Sequence, residues 1–289
     1  MLRDAVPEFE DLAVVRGRIA GRLSEVGRTI AVMSGKGGVG KSLVAVQLAL
    51  ALARRGLRAG LLDADLNSPS VAKMLGLRGA PLRTTSSGLR PVPGPLGVGV
   101  MSMDFFLQGA QPLAWDGAAG EGSGHRSEIE EAALGDLLGA TEWGALDVLV
   151  IDLAPGPDRL PALVHLHPAL SGAIAVTIPT EVSLLAVERS VRRAYEAGVT
   201  MLGLVENLAS SVCAHCGAEG PLFQEAPVES IARDLDLPIL ARVPFDARLA
   251  GRADAGVAAE IDPVSAAHRA FEAFAERIAL AAPTEEKPC

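Results

Sequence analysis

Residues Gly35-Lys36-Gly37-Gly38-Val39-Gly40-Lys41-Ser42 are the types, at the spacing, from which a triphosphate cradle is built. They fit G-x-x-x-x-G-K-[ST] from Gly35 to Ser42. Successive N–H groups of such a loop and of the helix after it converge on one point and favour negative charge there. Lys41 would reach the β- and γ-phosphates, and the Ser42 hydroxyl would ligate Mg²⁺. The same stretch also matches G-x-G-x-x-G through Gly35, Gly37 and Gly40, and Asp63 follows Gly40 by 23 residues, where a dinucleotide fold places its ribose acid. A dinucleotide site has no use for Lys41-Ser42 beside the phosphates, nor for Lys36. The residue types therefore favour a nucleoside triphosphate over a dinucleotide, and either over a glycine turn that binds nothing.

Two further segments supply acids. Leu61-Leu62-Asp63-Ala64-Asp65-Leu66-Asn67 carries carboxylates two residues apart at a predicted strand end. Asp63 would orient Mg²⁺ through its water and Asp65 would polarise the attacking water; a helix cap and a solvated turn acid are the plainer readings. Val148-Leu149-Val150-Ile151-Asp152 ends an apolar run in an acid, the usual place for a carboxylate that holds Mg²⁺ through water. Pro155 and Gly156 follow it and can form a turn that senses a γ-phosphate. A fourth segment, Cys213-Ala214-His215-Cys216, offers two sulfurs at i and i+3. These are two of the four ligands that a [4Fe–4S] cluster or structural zinc requires. Two copies meeting on a two-fold axis would supply four thiolates. A redox disulfide fits less well, because the pair follows a late strand rather than opening a helix after the first. His215 reads as a spacer, and His165 and His167 as ordinary loop or helix residues. No G-x-S-x-G nucleophile pattern is present.

The elements that must position these residues alternate. Strand-like runs occupy 29–33, 59–62, 98–101, 148–151, 173–178, 201–205 and 239–243, and helix-like runs 42–54, 127–140, 182–196, 228–235 and 264–281. Alternating apolar strands and helices predict an α/β fold: a doubly wound, mostly parallel sheet with helices on both faces. Leu12, Val15, Ile19, Leu23 and Val26 form one apolar helix face, so residues 1–27 read as an N-terminal helical extension packed on a 28–281 domain. Residues 109–124 read as a mobile loop or insertion, and 282–289 as a flexible tail.

Composition sets bounds. Half of the 289 residues are hydrophobic (49%), enough for a large core. The balance of 26 Lys and Arg against 35 Asp and Glu gives −9, a poor match to nucleic acid. Met1 to Asp11 is acidic rather than signal-like, and no apolar run reaches about 18 residues, so a soluble, cytoplasmic protein off the membrane is expected. Three cysteines argue against a disulfide framework.

Together, Ser34 to Ser42, Asp63 to Ser70, Trp143 to Asp147 leading into Asp152, and Glu206-Asn207 leading to Cys213 and Cys216 resemble the Mrp/ApbC/Nbp family of iron–sulfur cluster carrier ATPases. That family lies in the deviant-Walker-A class of P-loop NTPases with MinD, ParA and the nitrogenase iron protein. The resemblance spans roughly residues 28–258. It implies a homodimeric, slow ATPase that assembles a dimer-bridging, labile [4Fe–4S] cluster on Cys213 and Cys216, or transfers it to apo-protein clients. It also implies that Lys36 crosses the dimer interface to the partner's phosphates, joining Lys41 and Asp65 in catalysis. The implied ATP-binding set is Gly35, Gly37, Gly38, Val39, Gly40, Lys41, Ser42, Leu43, Asn207 and Pro244, the last two at the adenine. The implied Mg²⁺ set is Ser42, Asp63 and Asp152. Leu43 stands where the family usually has Thr, Asn67-Ser68 where it has Tyr-Gly, and Leu153 to Asp158 in place of Pro-Pro-Gly-Thr-Gly-Asp. The alternative is a MinD- or ParA-like positioning or regulatory ATPase with structural zinc at the C-x-x-C. Against it, 264–281 lacks the basic face an anionic membrane selects, and Arg189, Arg192 and Arg193 are thin material for a DNA face.

Overall fold

A computed structural model describes residues 10–106, 123–212, 219–223 and 228–280. In chain order these form α1 (Leu12–Leu23), β1 (Thr29–Ser34), α2 (Lys41–Arg54), β2 (Ala59–Ala64) and α3 (Val71–Met74). The short strands β3 (Arg83–Thr84), β4 (Leu89–Arg90) and β5 (Val92–Pro93) precede β6 (Gly99–Ser102). Next come α4 (Ser123–Ala140), β7 (Val148–Leu153), α5 (Arg159–Leu166), β8 (Gly172–Thr177) and α6 (Glu181–Glu196). The chain continues through β9 (Met201–Val212), β10 (Glu219–Gly220), α7 (Val228–Asp234), β11 (Ile239–Phe245), α8 (Ala247–Ala255) and α9 (Ala266–Leu280).

Apolar runs with no polar alternation belong where a sheet is covered on both faces, and β1, β2, β7 and β8 are buried at every position. The main sheet runs β10-β9-β8-β1-β7-β2-β6-β5, with β11 also paired to β9. Every described pairing in it is parallel except β5 with β6 and β10 with β9. Strand side chains alternate between faces, and two cores result. Ile30, Val32, Leu61, Val150 and Ile174 pack with α2 and α9, whereas Ala31, Met33, Leu62, Leu149 and Ile151 pack with α1, α4, α5 and α6. The α/β, doubly wound, mostly parallel architecture expected from the alternation is the one observed.

Several elements escape the periodicity. α5 carries Pro161 in its first turn, where the missing N–H has no intrahelical acceptor to lose. α3 spans four residues, too few to show a period. β9 runs seven residues past its expected end at Val205, because β11 and β10 pair with it beyond the reach of β8. It stops at Val212, immediately before Cys213. Cys213, His215, Cys216 and Cys289 lie outside the described residues, as do the 282–289 tail and most of the 109–124 segment.

Candidate functional site

The strand order β1-β7-β2 brings three carboxyl-terminal strand ends together. Val32 of β1 and Asp63 of β2 are both register partners of Asp152 on β7, and Asp63 is also the partner of Ser102 on β6. Acids distant in sequence thus meet below the glycine loop that leaves β1, the edge where open α/β sheets bind ligands. The Lys41 ammonium sits 2.5 Å from Asp152 Oδ1 and donates to Ser42 Oγ at 3.2 Å. Both members of the ion pair are buried. Burial pushes the Asp152 carboxyl up, and Lys41 opposes that shift. The other oxygen, Asp152 Oδ2, is buried without a hydrogen-bond partner among the described residues.

Asp63 is spent differently. Its Oδ2 accepts from the N–H groups of Ser70 (2.9 Å) and Val71 (3.0 Å) and from Ser102 Oγ (3.1 Å). Those bonds tie down the start of α3. Burial, and then the neighbouring Asp152 carboxylate, push Asp63 up to about 7 against those hydrogen bonds. Asp65 accepts from Ser68 N at 3.1 Å and lines the loop's cavity, whereas Asp63 does not. Of the two acids in this turn, Asp65 faces the cavity and Asp63 anchors backbone.

The loop itself is shaped by two close approaches. A methyl on Gly35 would collide with the Ala186–Val187 backbone of α6. Gly40 caps α2 in the left-handed region (φ +81°), and a methyl there would strike Asn207 Nδ2. The N–H groups of Gly40 to Leu43 find no acceptor among the described residues, as the first turn of a helix leaves them. Gly156 N–H donates to Ser34 O at 3.0 Å, which draws the Pro155–Gly156 turn against the loop. A cavity of about 240 Å³ results, lined by Ser34, Gly37 to Ser42, Leu43, Asp65, Ser70, Met74 and Pro155.

Other predicted residues flank this cavity. Gly35 shapes the loop from behind. The Lys36 ammonium has no hydrogen-bond or ion-pair partner among the described residues, and only its carbonyl is engaged, by Ser34 Oγ at 3.0 Å. Asn207 on β9 is the register partner of Val243, next to Pro244, so the two elements expected at the adenine lie side by side. Asn207 Nδ2 donates to Val39 O at 2.8 Å.

Sequence reasoning passed over Glu130. This buried carboxylate on α4 accepts from Asn67 Nδ2 at 2.9 Å and pairs with Arg159 at 2.5 Å. It thereby ties the Asp65–Asn67 turn to the start of α5, just past the 153–158 segment. A second cavity of about 530 Å³ opens over this link and shares Pro155 with the first. No local signal marks one Glu among the acids of a helix; only the packing of α4 selects it. His165 pairs with Glu131 at 2.5 Å, and buried His167 meets Thr29 Oγ1 at 2.9 Å. Both belong to α5 or its end, as ordinary structural histidines do.

The chain is similar to known proteins over most of its length. A family model described as ParA, NUBPL iron-transfer P-loop NTPase, matches residues 25–279. An iron–sulfur cluster carrier protein of Saccharolobus solfataricus is 38% identical over 256 residues, 88% of this chain and 83% of its own. One from Synechocystis is 35% identical over 89% of this chain and 71% of its own. Among solved structures, a nucleotide-binding protein of Archaeoglobus fulgidus in complex with ADP superposes with a TM-score of 0.73 at 34% identity, covering 86% of this chain and 94% of that one. The cell-division ATPase MinD of Pyrococcus furiosus shares the fold, with a TM-score of 0.60 at 22% identity over 88% of this chain and 99% of its own.

Proposed function

The chain belongs to the ParA/NUBPL iron-transfer family of P-loop NTPases, and from that premise we propose that it is a homodimeric ATPase that carries an iron–sulfur cluster. ATP sits with its phosphates on the first-turn N–H groups of α2, and hydrolysis is slow. The cargo is a labile [4Fe–4S] cluster bridging Cys213 and Cys216 of two copies, delivered to apo-protein clients. The observation that supports nucleotide binding most directly is the cavity over Gly37 to Ser42, with donor-only backbone at one end and Lys41 held at its floor by Asp152. The cargo reading is supported by the paired sulfurs and by the names of the relatives.

Phosphoryl transfer to water asks mainly for positioning and charge neutralisation. Lys41 exchanges Asp152 for the β- and γ-phosphates when nucleotide enters. Asp65, at the cavity wall, accepts a hydrogen bond from the attacking water and holds it in line. Lys36, unpaired within its own protomer's described residues, reaches the partner's phosphates. Asn207 and Pro244 border the base. Asp152 Oδ2, without a hydrogen-bond partner among the described residues, and the Ser42 hydroxyl are a hard-oxygen donor set that would suit Mg²⁺, and Asp63 supports them by ordering α3. Held there, Mg²⁺ would supply positive charge against the phosphates. Leu43 and the 153–158 segment, which depart from the family pattern, account for a low turnover.

Anaerobic reconstitution with ferrous iron and sulfide tests the carrier reading. The expected product is a brown dimer holding four irons and four sulfides, lost in the Cys213→Ser/Cys216→Ser double variant. Zinc instead of iron in anaerobically purified protein, or a chromophore that survives the double substitution, rejects it.

A further inference from the structure

Asn207 is buried (3% exposed), and its side-chain hydrogen bond among the described residues runs to the phosphate loop, from Nδ2 to Val39 O at 2.8 Å. The amide orientation follows from chemistry, because a carbonyl oxygen only accepts and the NH₂ group must face it. The next residue, Gly40, adopts φ +81° with no room for a side chain against that same nitrogen. Two consecutive loop residues are therefore moulded on one side-chain amide from a strand 168 positions away.

We propose that Asn207 is a positioning residue for the phosphate loop, acting through Val39 rather than only through a nucleotide base. The physical argument is peptide geometry. The Val39 C=O and the Gly40 N–H belong to one planar trans unit and point in opposite directions. Holding the carbonyl on Asn207 aims the Gly40 N–H the other way and keeps a lone pair from turning toward the phosphates. Gly40 also starts α2, so the same bond sets where the following N–H groups of Lys41 to Leu43 point. A glycine-rich loop has no side chains to fix its own peptide planes, and without Asn207 the 39–40 unit rotates at low cost. The inference rests on the nucleotide reading of this site and adds a cause for its geometry.

The test separates loop from base by using Mg²⁺-tripolyphosphate, which has phosphates and no base, beside Mg²⁺-ATP. Asn207→Asp keeps the side-chain shape but sets an oxygen against the Val39 carbonyl. The expected result by calorimetry is that both ligands weaken together, on the order of tenfold, as for a buried hydrogen bond left unmade. ATP weakening while tripolyphosphate binds as in the wild type means a base contact only and overturns the proposal. So does a variant that melts earlier yet, while folded, binds tripolyphosphate normally. If Asn207→Asp does not fold, NMR of the wild-type side-chain amide decides. Slow hydrogen exchange, slower still with Mg²⁺-tripolyphosphate, supports the role, and exchange at the free-amide rate overturns it. A wild type that binds neither ligand rejects the nucleotide reading itself and this inference with it, whereas a wild type that binds both beside an unaffected variant rejects this inference alone.

Discussion

The ion pair of Lys41 with Asp152 is shut away from water on both sides. Burying such a pair costs desolvation that the attraction only partly returns, and Asp152 Oδ2, without a hydrogen-bond partner among the described residues, adds to that cost. Such an arrangement is ready to gain from an incoming cation and polyanion. Two other buried groups give the fold opposing responses to pH. Asp63, raised to about 7, keeps its proton when folded at a pH where the unfolded chain has lost it, so its contribution falls as pH rises from about 4 to 7. His167, lowered by burial to about 4 from 6.5, stays neutral when folded while the unfolded chain takes up a proton. Its contribution is complete above about pH 6.5 and drains away as pH falls to about 4, a loss of at most roughly 3 kcal/mol. Urea unfolding of wild type and His167→Gln across pH 4 to 7 isolates this component. The gap between the two curves is expected to narrow toward acid, and a constant gap contradicts the assignment.

Elements carry the next level of control. α6 lies so close to the loop that Gly35 has no space for a methyl group, which couples the loop's entry to a helix that also bears the exposed side chains Val182 and Leu185. On the same face of the sheet, Glu130 of α4 binds Asn67 and Arg159 together. The turn holding Asp65 and the start of α5, just past the Pro155 to Asp158 segment, are therefore tied through one side chain. Glu130→Ala is expected to lower kcat for ATP hydrolysis on the order of tenfold with KM little changed. Its cost in stability is modest, about 1 kcal/mol, because Arg159 is 37% exposed and can turn to water. Glu130→Gln keeps one acceptor oxygen for one of the two donors and sets its NH₂ against the other, so its loss should fall between the wild type and Glu130→Ala. Steady-state kinetics of the pair checks this; equal losses in both variants, or a change in KM alone, point to charge or binding rather than to the link.

At the scale of the molecule, the chain's net charge of −9 opposes binding to nucleic acid, and no described helix is long and apolar enough to cross a membrane. The proposed assembly is a second copy, set face to face by Lys36. A shared site makes activity per protomer rise with protein concentration, and Lys36→Met is expected to abolish that rise while leaving Mg²⁺-tripolyphosphate binding to the monomer within a few-fold. Sedimentation with a non-hydrolysable ATP analogue, run beside the activity titration, measures both. Activity independent of concentration in the wild type removes the reason for invoking a partner.

The sequence by itself determined the class of fold and the chemistry at one strand end. Unbroken β-branched apolar runs such as Val148 to Ile151, alternating with helix-like runs, suit strands of a sheet covered on both faces, and a glycine loop followed by Lys41-Ser42 has few uses beyond phosphate. Both signals are local, carried by neighbours along the chain. What only the tertiary structure decided is non-local. Asp63 and Asp65 both read as acids facing the site in sequence, yet packing gives one to the backbone of α3 and the other to the cavity. Asn207 is expected only at the adenine, by resemblance, until the fold sets it against Val39. Glu130 is one of several acids on its helix until α5 and the Asn67 turn close on it. The physical reason is common to all three: a short polar side chain serves whichever donor or acceptor the packing brings within about 3 Å, and that neighbour lies anywhere from seven residues away, as Ser70 from Asp63, to 168, as Val39 from Asn207.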